Sequence, residues 1–129
     1  MALVNCETRG HVAIVTLNRP EARNAISPEV AVRLADAWRD VRDDDGVRVC
    51  IVTGTGNTFC AGADLGQLIP MMTGARKPEN EWDERVAKEP GIPARALLRN
   101  FDPVKPVIAA INGPAIGAGL DLACMCDMR

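Results

Sequence analysis

"VRVCIVTGTGNTFCAGADLG", Val47 to Gly66, is the stretch on which the reading turns. Val47 to Gly54 is nearly continuous in apolar and β-branched residues, the composition of a strand covered on both faces. Asn57 to Gly66 then holds two glycines, two alanines and one acid, with no histidine, serine or lysine. A strand therefore runs into a turn with no evident catalyst. What such a turn can do depends on its neighbours along the chain.

Upstream, "HVAIVTLNRP" predicts a strand over Val12 to Leu17, closed by Asn18-Arg19-Pro20. After the polar connection "EARNAIS", Ser27 has the chemistry of an N-cap, with Pro28 at the first helical position and Glu29 near the positive helix end. Val30, Leu34, Trp38 and Val41 recur at helical spacing and predict one buried face. "DDDG" ends the helix. Strand, helix, strand in this order implies a right-handed parallel crossover.

Downstream, roughly residues 71–93 form a polar insert rich in proline, glycine and charge. It is expected to be a mobile surface excursion with a short helix over Trp82 to Lys88. "ARALLRNF" predicts a further helix, and "KPVIAAING" a third strand over Val107 to Ile111. "GPAIGAGLDLACMCDMR" then turns and starts another helix.

Two places share one design. Gly62-Ala63 follows the second strand and Gly117-Ala118 follows the third, each just before a predicted helix. Small residues let another molecule approach the backbone closely. A helix start offers free N–H groups and a positive dipole end. Two such turns can point two amides into one crevice at the strand ends, which makes an oxyanion hole. A phosphate cradle is the competing reading. It is weakened because the segment lacks the lysine and Ser/Thr of a P-loop and the third glycine of a dinucleotide fingerprint. Simple turn-shaping by glycine accounts for either place taken alone.

Composition narrows the classes. A net charge of -2 over 129 residues gives no general case for nucleic acid. No apolar run is long enough for a bilayer, and the first residues lack the pattern of a signal peptide. Five cysteines (Cys6, Cys50, Cys60, Cys124, Cys126), an odd set without a CxxC pair, read as reduced core residues of a cytoplasmic protein. The single histidine, His11, reads as a surface or sheet-edge residue, so no metal site is expected.

"NRPEARNAIS", "FCAGADL" and "INGPAIGAGLDLACMCD" together resemble, in order and spacing, the N-terminal signatures of the enoyl-CoA hydratase/isomerase (crotonase) superfamily. The resemblance covers nearly the whole chain. It implies an α/β fold, a crotonase-like spiral of repeated ββα units. Here it would be an incomplete domain over residues 1–129, truncated before the C-terminal helical region. It implies an acyl-CoA thioester substrate, an enolate-like intermediate and no cofactor beyond the coenzyme A of the substrate. It also implies a homo-oligomer, a trimer or dimer of trimers, in the full-length form.

Carried over by position, the resemblance makes the amides of Ala63 and Ala118 the oxyanion donors. Many relatives have glycine at the second position, and alanine serves there if its φ is negative. Ala61, Gly62, Asp64, Leu65, Gly66 and Gly117 resemble the stretch that lines the CoA and thioester site. Arg23 sits where relatives place a basic residue near the CoA phosphates; a solvated loop arginine is the equal alternative.

Asp121 falls three residues after Ala118, so a helix puts both on one face and leans the carboxylate toward the helix start. Hydratases of the family usually have glutamate here, paired with a second glutamate that would lie beyond Arg129. Dienoyl-CoA isomerases of the family can carry aspartate. Asp121 is thus the expected acid/base, with helix-dipole stabilisation as its structural alternative. Asp127 matches a family position and reads as structural. Hydration of an enoyl-CoA, double-bond isomerisation with Asp121 as base, and an inactive acyl-CoA-binding remnant all stay open.

Overall fold

The computed structural model describes residues 2–129. A four-stranded sheet runs in the order β1-β2-β3-β4. The strands are β1 (Val4–Arg9), β2 (Val12–Leu17), β3 (Val49–Gly54) and β4 (Val107–Ala109). β1 and β2 form an antiparallel hairpin, with Arg9 opposite Val12 across Gly10-His11; β2, β3 and β4 are parallel. Gly10 has φ +60°, the left-handed conformation such a tight turn needs. His11 is exposed there, its Nδ1 2.8 Å from the Gly46 carbonyl.

β2 and helix α1 (Pro28–Asp43) lie where the pattern predicts them. β2 alternates between half-buried and buried residues along its length, as expected of a strand with one face on a core. Ser27 Oγ accepts from the Val30 amide at 3.3 Å, which caps α1. Val30, Leu34, Trp38 and Val41 are all buried. Trp38 also donates Nε1 to the Ala96 carbonyl at 2.9 Å, tying α1 to α4 (Ile92–Ala96). At the other end of α1, Lys105 Nζ donates to the carbonyls of Val41, Arg42 and Asp44 at 2.6, 2.7 and 2.9 Å. A cation on unpaired carbonyls is the favourable arrangement at a helix C-terminus.

One strand was not foreseen, and three expectations are corrected. β1 has no apolar periodicity, because only Val4 is buried; pairing with β2 makes it a strand. β3 is covered on one face rather than two: Cys50 and Val52 are buried, while Val49 and Ile51 stay half-exposed. The helix expected over "ARALLRNF" stops at Ala96. Leu98 and Asn100 take φ +59° and +56°, and the left-handed turn lets Leu98 enter the core. Finally, Cys50, Cys60 and Cys126 are buried, but Cys6 and Cys124 are exposed; all five are free thiols. Loss of solvation pushes Cys50 up to about 12 and Cys126 up to about 11, so these thiols stay protonated.

α2 (Leu68–Thr73) runs into the insert, which carries α3 (Glu81–Lys88). Two of its side chains meet α1. Arg85 forms two hydrogen bonds to Asp36 at 2.9 and 3.1 Å, and Arg33 lies 4.6 Å over the Trp82 ring. Asp83 is buried against Arg76 at 2.9 Å. Helix α5 (Ala118–Met125) closes the described chain. Asp127 accepts from the Val107 amide at 2.8 Å, and Met128 pairs with Ile108. That arrangement fits the structural reading of Asp127. β1, β2 and α1 form one strand-strand-helix unit; β3, β4 and α5 repeat the order with α2–α4 interposed.

Candidate active site

The site forms where two turns leave the sheet. In the first, Ile26 donates to the Gly62 carbonyl at 2.8 Å and Asp64 donates to the Ile26 carbonyl at 2.9 Å. Ala63 sits between these bonds in a parallel bridge with Ile26. Because amides alternate in direction along an extended chain, the Ala63 N–H faces away from Ile26.

Side chains from distant segments brace this turn. Asn24, 1% exposed, donates Nδ2 to the carbonyls of Thr55 and Thr58 at 3.0 and 2.9 Å. Asn112 donates to the Gly56 carbonyl at 2.9 Å and accepts from the Gly54 amide at 3.1 Å. Arg19 Nη1 reaches Asp64 Oδ2 at 2.7 Å, with both side chains only 14% exposed. Asp64 Oδ1 accepts from the Gly66 and Gln67 amides at 2.8 Å each. Burial alone would raise the Asp64 carboxyl; Arg19 and the two amides outweigh it and hold it below the ordinary range.

The second turn is laid on the first. Phe59 donates to the Pro114 carbonyl at 3.1 Å and Ile116 to the Cys60 carbonyl at 3.0 Å. Glycines permit the contact: a Cβ on Gly113 would strike the Asn57 carbonyl, and one on Gly119 the Cys60 carbonyl. Gly62 has φ +101°, and a Cβ there would lie 2.8 Å from the Ile116 oxygen and 3.3 Å from the Ala118 nitrogen. Gly117, at φ 55° and ψ −120°, aims the chain into α5. Ala118 is the first residue of that helix, and neither it nor Ala63 has a positive φ. Among the described residues, neither of these two amides has an acceptor within the protein.

Two cavities meet at this pair. The outer one, open and about 600 Å³, is lined by Ala61, Gly62, Asp64, Leu65, Gly66 and Gly117, with Ala63 and Ala118. Leu65 is 81% exposed. Ala22 and Ala25 also line it, which sequence reading missed. The inner cavity, about 240 Å³, is mostly apolar and includes Ile26, Leu68, Met72 and Leu97, again with Ala63 and Ala118. Asp121 and Arg99 are the charged groups on its wall, 3.4 Å apart and half-exposed.

The expected site residues are thus gathered around one pair of amides, apart from Arg23. Its side chain is exposed and lines neither cavity, though its carbonyl holds the Ala61 amide at 3.0 Å. The braces Arg19, Asn24 and Asn112 were missed. Their only trace in the sequence is that they lie inside two of the three segments quoted above, Arg19 and Asn24 in the first and Asn112 in the third.

Comparison with known proteins bears on what this arrangement does. Residues 7–129 match the family model described as enoyl-CoA hydratase/isomerase. An (E)-benzylidenesuccinyl-CoA hydratase of Thauera aromatica is 40% identical over 127 residues, which is 98% of this chain and 45% of that protein. An enoyl-CoA hydratase of Mycobacterium tuberculosis is 41% identical, over 95% of this chain and 44% of its own length. The crystal structure of an enoyl-CoA hydratase from M. tuberculosis H37Rv superposes with a TM-score of 0.78 at 36% identity, covering 99% of this chain and 45% of that one. The chain therefore spans less than half the length of these relatives.

Proposed function

The chain belongs to the enoyl-CoA hydratase/isomerase family, and on that footing we propose that it acts on acyl-CoA thioesters through an oxyanion hole made of the Ala63 and Ala118 amides. The observation that carries this reading is the pair of acceptor-free amides where the two cavities meet. The thioester carbonyl would sit at that junction, with the CoA arm in the open cavity and the acyl group in the apolar one. Charge developing on the thioester oxygen is met by two fixed N–H donors. Each such donor contributes about 3–4 kcal/mol to transition-state stabilisation. Water adds at the β-carbon of an enoyl-CoA as Asp121 takes its proton, which gives the enolate that the two amides stabilise; the protonated Asp121 then returns a proton to the α-carbon. Coenzyme A enters as part of the substrate; Arg23, exposed between two residues that line the outer cavity, Ala22 and Ala25, would be a partner for its phosphates.

A second reading is double-bond isomerisation with Asp121 as the sole base. It is favoured by Asp121 being the only carboxylate on the wall of the inner cavity among the described residues.

The test is turnover of a short enoyl-CoA by the purified chain in ¹⁸O-water, beside Asp121→Asn. The variant is expected to lose about 10²–10⁴-fold in rate. Label in the product means hydration, and a moved double bond without label means isomerisation. Full activity in Asp121→Asn removes this residue from the mechanism. Tight acyl-CoA binding with no turnover reduces the function to that of a binding module.

A further inference from the structure

Asp64 lines the outer cavity and Arg19 stands behind it, lining neither cavity. Arg19 Nη1 donates to the Ala25 carbonyl at 3.2 Å as well as to Asp64 Oδ2 at 2.7 Å. Its own amide donates to Asn24 Oδ1 at 2.9 Å. Asp64 spends Oδ2 on Arg19 and Oδ1 on the Gly66 and Gln67 amides. Both of its oxygens are therefore engaged inside the protein. A carboxylate so committed is a poor ligand for substrate, and its negative charge is badly placed to greet a polyphosphate.

What the pair can do is fix the peptide next to it. Ala63 immediately precedes Asp64. Its N–H is oriented on one side by the Ile26 bridge and on the other by the anchored Asp64 side chain. The Arg19 guanidinium joins the Pro20–Asn24 connection to this turn, as the Ala61 amide on the Arg23 carbonyl does from the main chain. A half-buried, short ion pair with additional backbone bonds holds geometry well, because its members lose little further freedom on engaging. The turn has only alanine and glycine at its apex, so few side-chain atoms there can fix the direction of the peptide plane.

We infer that Arg19 is a positioning residue for the proposed chemistry: through Asp64 it fixes the direction of the Ala63 N–H, and Asp64 serves this role rather than direct contact with coenzyme A. The inference rests on the oxyanion-hole reading for its use, but not for its test.

The test measures the N–H residual dipolar couplings of Ala63 and Ala118 in the ligand-free chain, wild type against Arg19→Gln, Arg19→Lys and Asp64→Asn. In parallel, butanoyl-CoA labelled with ¹³C at the thioester carbonyl is titrated in, since this saturated probe cannot be hydrated. In Arg19→Gln the Ala63 coupling is expected to move while that of Ala118 stays. The downfield shift of the bound carbonyl should fall by most of its size. Affinity should weaken by no more than about 3-fold, because the remaining ligand contacts are untouched. Arg19→Lys, which keeps a cation at Asp64, should restore most of both signals. Asp64→Asn, which keeps an oxygen for the Gly66 and Gln67 amides, should lie between.

An unmoved Ala63 coupling in a folded Arg19→Gln overturns the inference. So does loss of folding in both Arg19→Gln and Asp64→Asn, which would make the pair a fold element alone. A moved coupling in a chain whose wild type never shifts the carbonyl upholds the positioning role and sinks the acyl-CoA reading instead.

Discussion

Residues 57–66 reach their shape through side chains that come from elsewhere, whereas residues 112–118 reach theirs largely through side chains that are missing. The first turn is braced by Arg19, Asn24 and Asn112 and by the carboxylate of its own Asp64. The second is pressed backbone to backbone against Asn57 and Cys60, where Gly113 and α5's Gly119 leave no room for a methyl. Both deliver to the same cavity an amide that has no acceptor among the described residues. One site therefore has two modes of failure. The first turn fails when a polar partner is removed or titrated, and at Gly62 also when a side chain is added. The second fails when atoms are added.

The sharpest way to break the comparison is Gly119→Ala. Helix propensity alone makes alanine better than glycine by about 1 kcal/mol inside a helix. The overlap of its Cβ with the Cys60 carbonyl argues the reverse, because backbone on both sides cannot give way. The expected outcome is destabilisation by about 3 kcal/mol in urea denaturation. A stabilised variant would show that the second turn is not held by close approach.

Asn24→Ala attacks the first turn in its own manner. It strips the carbonyls of Thr55 and Thr58 of a buried donor and leaves an alanine at φ 57°. The expected loss is about 2 kcal/mol by the same measurement. A loss below about 0.5 kcal/mol, the scale of an ordinary surface change, would mean that the turn holds without its braces.

The smallest effect expected is one of pH. Asp64 is held below the ordinary carboxylate value in the folded chain, so the unfolded chain binds that proton more readily. Its contribution to stability is complete above the unfolded value, near 3.9. It is lost as pH falls further, through the folded value. Asp64→Asn should flatten the acid limb of the stability profile below about pH 4. Gly119→Ala should leave the shape of that limb unchanged and shift it as a whole. An acid limb unaltered by Asp64→Asn would remove electrostatics from the account of the first turn.

How much of this could be read beforehand differs between elements for local reasons. β2 and α1 announce themselves, since Val12–Leu17 alternates and Val30, Leu34, Trp38 and Val41 repeat at the helical period. β1 does not, since Cys6 to Arg9 face solvent and only the pairing with β2 keeps them extended. The stop at Ala96 is equally silent, because a left-handed leucine is chosen by the core it enters and not by its neighbours.

The site divides along the same line. By itself the sequence determined two glycine-alanine turns after strands, an acid one helical turn beyond the second, and the family to which their spacing points. These are local patterns, and short-range sterics and periodicity suffice to express them. Tertiary structure alone decided that the turns share one cavity, that both amides lack acceptors, and that Asp64 is committed to Arg19. Those facts depend on hydrogen bonds between residues tens of positions apart, such as Asn24 to Thr58 and Arg19 to Asp64. A linear pattern carries no record of which donor will meet which carbonyl.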